Sequence, residues 1–286
     1  MVKWPYLSAP PSGVFMRLSV TSWSFPACTL AEAWAIARAL GFSHIDIGAL
    51  HGPAIDAALV RRDPAAAAAA LRPLGLSVAN LYWLFGATLA ENAMSDPAAL
   101  ARNAAEFANV LTFAREVGAP SVFLLPGVIA PGASREDALR HSAAAFRELL
   151  AMARAAGIVL TVEPHVAGLL TSPDDTLRFL DLVPGLRLAL DYAHFACMGW
   201  PQAAIDPLAP HAGHVHLRQA RPGALQAKWG EGTLDFPAMF DRLRACGYAG
   251  FCAVEYVHQD YMGTLHDDVL TETVRMRDCA RAHGLR

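Results

Sequence analysis

The chain has 286 residues, 54% of them apolar, with 23 basic against 26 acidic side chains and a net charge of −3. No apolar run approaches the roughly 20 residues of a membrane span, and no basic run offers counter-charge to a nucleic-acid backbone. The five cysteines, Cys28, Cys197, Cys246, Cys252 and Cys279, are odd in number and lack CxxC spacing, which predicts buried thiols in a reducing cytoplasm rather than a disulfide framework.

Residues 1–15 carry one lysine and two adjacent prolines but no apolar stretch of signal-peptide length, so they read as an N-terminal arm or extension before a domain over 16–286. The first strand-like run is RLSVTSW (17–23). Thr29 and Glu32 then resemble a capping box, and Gly41 closes that helix before HIDIGA (44–49). The Ala-rich stretch 65–70 has high helix propensity, and Gly75 precedes LSVANLYW (76–83). Leu100, Ala104, Phe107, Leu111 and Ala114 recur at helical steps, leading to Gly118 and SVFLLPG (121–127). Ser134 with Asp137 starts a further helix marked by Leu139, Ala143, Phe146, Leu150 and Ala153. Gly157 and IVLTVEP (158–164) follow. Ser172, Pro173, Asp174 and Asp175 supply a cap, a preset φ and favourable charge for the next N-terminus, and Gly185 leads to LRLALDY (186–192). GHVHLRQ (213–219) and, after Gly247, FCAVEYV (251–257) complete eight runs.

Runs that are apolar throughout are buried on both faces, as in a parallel sheet covered by helices. Eight strand–helix units at spacings of roughly 26 to 45 residues predict an α/β fold, a single (β/α)8 TIM barrel. An open doubly wound sheet is the runner-up, but no GxGxxG follows the first strand.

Glu163, Asp191, His216 and Glu255 stand near the ends of the fifth to eighth runs. A charged group there is costly unless it is paired or holds a metal. Successive parallel strands would gather the four at the C-terminal mouth, where barrel active sites lie. One such residue alone would read as a solvent-facing strand end; four in succession favour a metal site. Three carboxylates and one imidazole suit one divalent ion, Mn²⁺ first, with Mg²⁺, Co²⁺ or Zn²⁺ as alternatives. His194, three residues after Asp191, is a candidate substrate donor or a loop histidine. Arg218 and Arg221 are candidates to hold a substrate hydroxyl, carboxylate or phosphate, against the plainer reading of surface arginines. His165 and His258 are candidates to orient the neighbouring ligands, whereas His214 reads as a satisfied core histidine. Trp23, Trp83 and Phe85 would wall the pocket or pack helices on the barrel.

With TVEPH, LDYAH, HVHLR, AVEY and the later GEGTLDFPAMF (230–240) in place, the chain resembles the xylose-isomerase-like TIM-barrel superfamily of sugar isomerases and epimerases across all eight strands. The resemblance implies that Glu163, Asp191, His216 and Glu255 bind one divalent ion and that His194 contacts substrate. It implies an isomerase or epimerase of a small keto-sugar or related hydroxy-carbonyl compound, with Glu163 and Glu255 as acid/base pair around a metal-stabilised enediolate. A small carbohydrate partner and a homodimer or homotetramer follow from the same source, with neither nucleic acid nor membrane as partner. The ketose 3-epimerases carry a further glutamate six residues after the first ligand, where Leu169 stands here. Their substrate arginine comes six residues after the histidine ligand, where this chain has Pro222 beside Arg221. A hexulose 3-epimerase identity is therefore not expected. Rival readings on this scaffold are a metal-dependent dehydratase (lyase) of a hydroxylated keto acid and an abasic-site endonuclease. The endonuclease needs further mouth histidines, of which the early strands offer His51. A non-catalytic carbohydrate-binding protein is the rival outside enzymes.

Overall fold

Eight strands pair in parallel and in sequence order: β1 (Arg17–Thr21), β2 (Ile45–Gly48), β3 (Val78–Tyr82), β4 (Ser121–Leu124), β5 (Val159–Val162), β6 (Arg187–Asp191), β7 (Ala212–Leu217) and β8 (Phe251–Val254). β8 returns to pair with β1, which closes the barrel. The structure is a computed structural model that describes residues 15–50, 54–259, 261–262 and 268–286. The expected arm, apart from Phe15, and His51 lie outside the described residues.

Ten α-helices surround the barrel among those residues: α1 (Leu30–Ala39), α2 (Ala57–Arg62), α3 (Pro64–Leu71), α4 (Leu100–Glu116), α5 (Arg135–Ala156), α6 (Pro173–Leu182), α7 (Tyr192–Cys197), α8 (Gln202–Ile205), α9 (Phe236–Ala245) and α10 (Val269–Ala282). Their apolar faces and the outward faces of the strands form the main core, with Phe107, Phe113, Phe146, Phe179 and Phe240 buried in it. Each such side chain contributes roughly 1.5–3 kcal/mol on burial. Helix starts follow the local chemistry. Thr29 and Glu32 form the full reciprocal box on α1. Ser134 accepts from the Asp137 amide at 3.0 Å, and its hydroxyl donates to the Asp137 carboxylate, so α5 has half a box. On α6, Ser172 accepts from the Asp175 amide.

Every predicted run overlaps one strand, with β7 starting one residue ahead of its run, but the ladders stop earlier than the apolar runs do. β5 ends at Val162 and β8 at Val254, so Glu163 and Glu255 are the first residues beyond their ladders. Their amides still continue the pattern, donating to the Leu124 and Leu217 carbonyls at 3.0 Å. Asp191 and His216 are register partners on β6 and β7. The four ends therefore stand at one level of the barrel. Within the barrel the filling is unusually polar. Ser19 donates to Asp46 at 2.7 Å, Ser121 donates to Asn80 at 2.7 Å, and Thr161 and His214 are buried with them.

Candidate metal centre

One ligand atom from each of Glu163, Asp191, His216 and Glu255 lies within 4.8 Å of the others, and all four residues are buried. His216 Nδ1 is 2.7 Å from Glu163 Oε1 and 3.3 Å from Glu255 Oε2. The imidazole is fixed by the edge-on rings of Phe123 and Trp23, and the Trp23 indole N–H donates to Glu255 Oε1 at 2.9 Å. Gly48 makes room for that indole. A Cβ at position 48 would lie 3.2 Å from the Trp23 ring. Asp191 is held at both oxygens: Oδ1 accepts from the Ala193 amide as α7 begins, and Oδ2 accepts from Arg218 Nη2 at 2.6 Å and Nε at 3.0 Å.

Two unit charges 4 Å apart interact by about 4 kcal/mol at an effective dielectric of 20, so three buried carboxylates repel strongly unless cations intervene. The titrations carry that signature. Burial, with Glu255 and Asp191 nearby, lifts Glu163 to about 7 even though His216 opposes the shift. Burial disfavours the His216 imidazolium, but Glu255 and Glu163 outweigh it and raise the group to about 10. Burial also works against ionised Glu255, yet Arg218 and His216 hold it below the ordinary carboxylate range. Glu255 Oε2 is buried without a hydrogen-bond partner. An oxygen-rich set with an orphaned carboxylate oxygen fits a divalent ion held by Glu163, Asp191, His216 and Glu255.

Above this cluster opens a cavity of about 390 Å³. Trp23, Tyr82, Phe123, His165, His194, Arg218, Gln259 and Tyr261 are among its walls. His194 is buried, and burial followed by His165 and Arg218 keeps its imidazole well below the usual pKa, hence neutral. The Val166 amide donates to His194 Nδ1 at 3.3 Å. Nε2 lies 3.2 Å from Arg218 Nη2 and 4.0 Å from Glu163 Oε2. Arg218, only 3% exposed, is part of the cluster. Arg221 is exposed, bridges to Ala224 and is absent from the cavity wall. His258 is exposed too. Trp83 turns its indole N–H to Glu106 on α4, and Phe85 packs on Phe107, so both pack helix against barrel. Leu169 is fully buried and Pro222 exposed.

Sequence reasoning missed Asp46. It is fully buried on β2, with Oδ2 2.7 Å from His214 Nε2 and 4.0 Å from His216 Nε2. Asp46, His214 and His216 make a second group of donor atoms within 4.8 Å of one another, and Asp46 with His214 forms a polar floor beneath His216. An acidic residue inside the apolar run HIDIGA is the same signal that singled out Glu163.

The family described as a xylose isomerase-like TIM barrel matches residues 34–278. The L-ribulose 3-epimerase of Mesorhizobium japonicum is 29% identical over 191 residues, covering 62% of this chain and 60% of that protein. The 2-oxo-tetronate isomerase of Haemophilus influenzae is 29% identical over 154 residues, covering 51% and 58%. The match thus spans less than two thirds of these relatives' length. The solved structure of D-allulose 3-epimerase from Methylomonas sp. in complex with D-allulose has the same fold, with a TM-score of 0.70 at 20% identity over 96% of this chain and 99% of that one.

Proposed function

The chain belongs to the xylose isomerase-like TIM-barrel family, and from that premise we propose that it is a divalent-metal-dependent isomerase or epimerase of a small keto-sugar or related hydroxy-carbonyl compound. The observation that carries the reading is the buried four-ligand cluster, with its orphaned Glu255 oxygen, opening directly into the cavity. The printed names of the two relatives, one acting on a ketose and one on an oxo acid, fit the same chemistry.

An ion held by Glu163, Asp191, His216 and Glu255 would supply Lewis-acid chemistry that offsets the charge developing as the α-proton leaves; Mn²⁺ suits this donor set, with Mg²⁺, Co²⁺ or Zn²⁺ next. Glu163 and Glu255 form the acid/base pair: one removes the proton from the α-carbon and the other returns a proton to the same or the adjacent carbon. Return to the opposite face of the same carbon is epimerisation, and return to the adjacent carbon is isomerisation. Trp23, donating to Glu255 Oε1, leaves Oε2 toward His216 and the cluster. Neutral His194 contacts a substrate oxygen from the cavity wall, and Arg218 orients Asp191 while facing the cavity. Cytoplasmic residence accords with five thiols that form no disulfide; no helix among the described residues is long and apolar enough to cross a membrane.

The test is proton NMR of the Mn²⁺-loaded protein with keto-sugars and hydroxy-oxo acids in D₂O. Deuterium should enter at an α-carbon without loss of water. Loss of water would mark a dehydratase, and absence of exchange across the panel would refute the proposal.

A further inference from the structure

We propose a second divalent-cation site beneath the mouth cluster, built from Asp46 on β2 with His214 and His216 on β7 and suited to Zn²⁺. It stands whether or not the mouth carries out the reaction proposed above. β2 and β7 are not neighbours in the barrel order, so their side chains meet only across the interior. One donor atom from each of the three residues lies within 4.8 Å of the others. Asp46 is fully buried, and each histidine is 1% exposed.

The first support is a set of orphaned atoms. Asp46 Oδ2, His214 Nε2 and His216 Nε2 are all buried and all lack a hydrogen-bond partner. Such atoms are uncommon in folded proteins, and a bound ion is one of the few things that accounts for them. These same atoms converge: Oδ2 is 2.7 Å from His214 Nε2 and 4.0 Å from His216 Nε2. The shorter contact has the length of a hydrogen bond without its direction. Two donors about 2.0–2.1 Å from one zinc ion stand roughly 3 Å apart at right angles and roughly 4 Å apart when opposed, close to the two separations here. Asp46 Oδ1 already accepts from the Ser19 hydroxyl at 2.7 Å, which leaves Oδ2 for the ion.

The second support is charge. Glu163, Asp191, Glu255 and Asp46 bring four buried carboxylates around His216. Arg218 pairs with Asp191 and faces Glu255, so Arg218 and a divalent ion at the mouth offset three of the four. Asp46 is left over. Among the described residues no Lys or Arg pairs with it, and its ionic contacts are the two histidines. A buried carboxylate is costly without a counter-charge or a metal. His216 can serve both sites because its nitrogens face opposite ways: Nδ1 lies 2.7 Å from Glu163 Oε1, and Nε2 faces Asp46. The ring bridges the two ions, and its protons pass to solvent as they bind. Three carboxylates and one imidazole at the mouth suit Mn²⁺, whereas two imidazoles and one carboxylate on the floor favour Zn²⁺. Mn²⁺ therefore fills the mouth alone.

The experiment is anomalous scattering at the zinc and manganese edges from crystals of the full chain, with metal content measured per chain. The chain is produced with zinc in the growth medium, because the floor is sealed once folding is complete, and is then loaded with Mn²⁺. A zinc peak should lie among Asp46 Oδ2, His214 Nε2 and His216 Nε2, separate from the ion at the mouth. Chain prepared with Mn²⁺ alone should hold half as much metal. Asp46→Asn keeps an oxygen for Ser19 and should lose the floor peak while retaining the mouth peak. Should that variant fail to fold, His214→Gln tests the same loss, and the wild-type map decides in either case. Zinc confined to the mouth, a floor peak that survives loss of the Asp46 carboxylate, or a water or a plain Asp46–His214 hydrogen bond in place of the ion would overturn the site. A floor ion in a chain that exchanges no α-proton in D₂O would uphold the site and strike down the isomerase or epimerase reading. Exchange in a chain without a floor ion would do the reverse.

Discussion

Asp191 is the most constrained of the four proposed ligands. It ends β6, caps α7 through the Ala193 amide and accepts two hydrogen bonds from Arg218. Asp191→Asn retains a capping oxygen but removes the charge, so metal affinity measured by titration calorimetry should fall by roughly 10- to 100-fold or more while the fold persists by circular dichroism. Glu163→Gln and Glu255→Gln should each cost about 10²–10⁴-fold in turnover; near-normal activity in either variant would remove that residue from the acid/base pair. Protons compete with the ion. With Glu163 raised to about 7 by burial and its neighbouring carboxylates, the ligand becomes protonated as the pH falls through 7. Metal affinity should therefore weaken steadily from pH 8 to pH 6, and an affinity that rises on acidification would contradict the placement of Glu163. At this scale the four proposed ligands stand out because each interrupts an apolar run, and the fold gathers one donor atom of each within 4.8 Å of the others. Asp46 interrupts one as well and was overlooked because it sits mid-strand, deeper than the rim. The Arg218–Asp191 pair could not be read from one strand alone, since it forms only when β7 lies beside β6.

Among the elements, capping chemistry was readable and loop geometry was not. Ser134 starts the 22-residue helix α5 by accepting from the Asp137 amide, so Ser134→Ala should lower stability by about 1 kcal/mol in denaturant titration, with m unchanged. The loop after β4 is tied to the loop after β3 beside Gly127, where φ is +89° and an added Cβ would fall 2.6 Å from Ser95 Oγ. Gly127→Ala should cost more than a typical surface substitution, at least about 1 kcal/mol. Helix α7 escaped sequence reading because six residues are too few for a helical period. Its cap, Asp191, looked like the end of a strand. The ladders were read too long for a related reason: apolar character continues past Val162 and Val254 into residues that line the mouth instead of pairing.

At the scale of the whole molecule the barrel was legible and the pocket was not. Eight apolar runs separated by capped helices admit one closed parallel arrangement, whereas the cavity is shaped by loops such as the one carrying Leu89, whose path no local pattern dictates. The barrel's cohesion can be tested through its tyrosines. Burial raises Tyr82, Tyr192, Tyr248 and Tyr256 above their ordinary pKa. In the unfolded chain they ionise near pH 10, so above that pH the unfolded state releases protons the native state retains, and stability falls as the pH rises. Tyrosinate absorbance should then appear together with loss of circular dichroism in one cooperative step, not ahead of it. The most direct test of the whole account is anomalous scattering from crystals of the Mn²⁺-loaded protein, with metal content measured per chain. One ion per chain should appear among Glu163, Asp191, His216 and Glu255, and it should vanish in Asp191→Ala. An ion bound elsewhere, or none at saturating metal, would contradict the account.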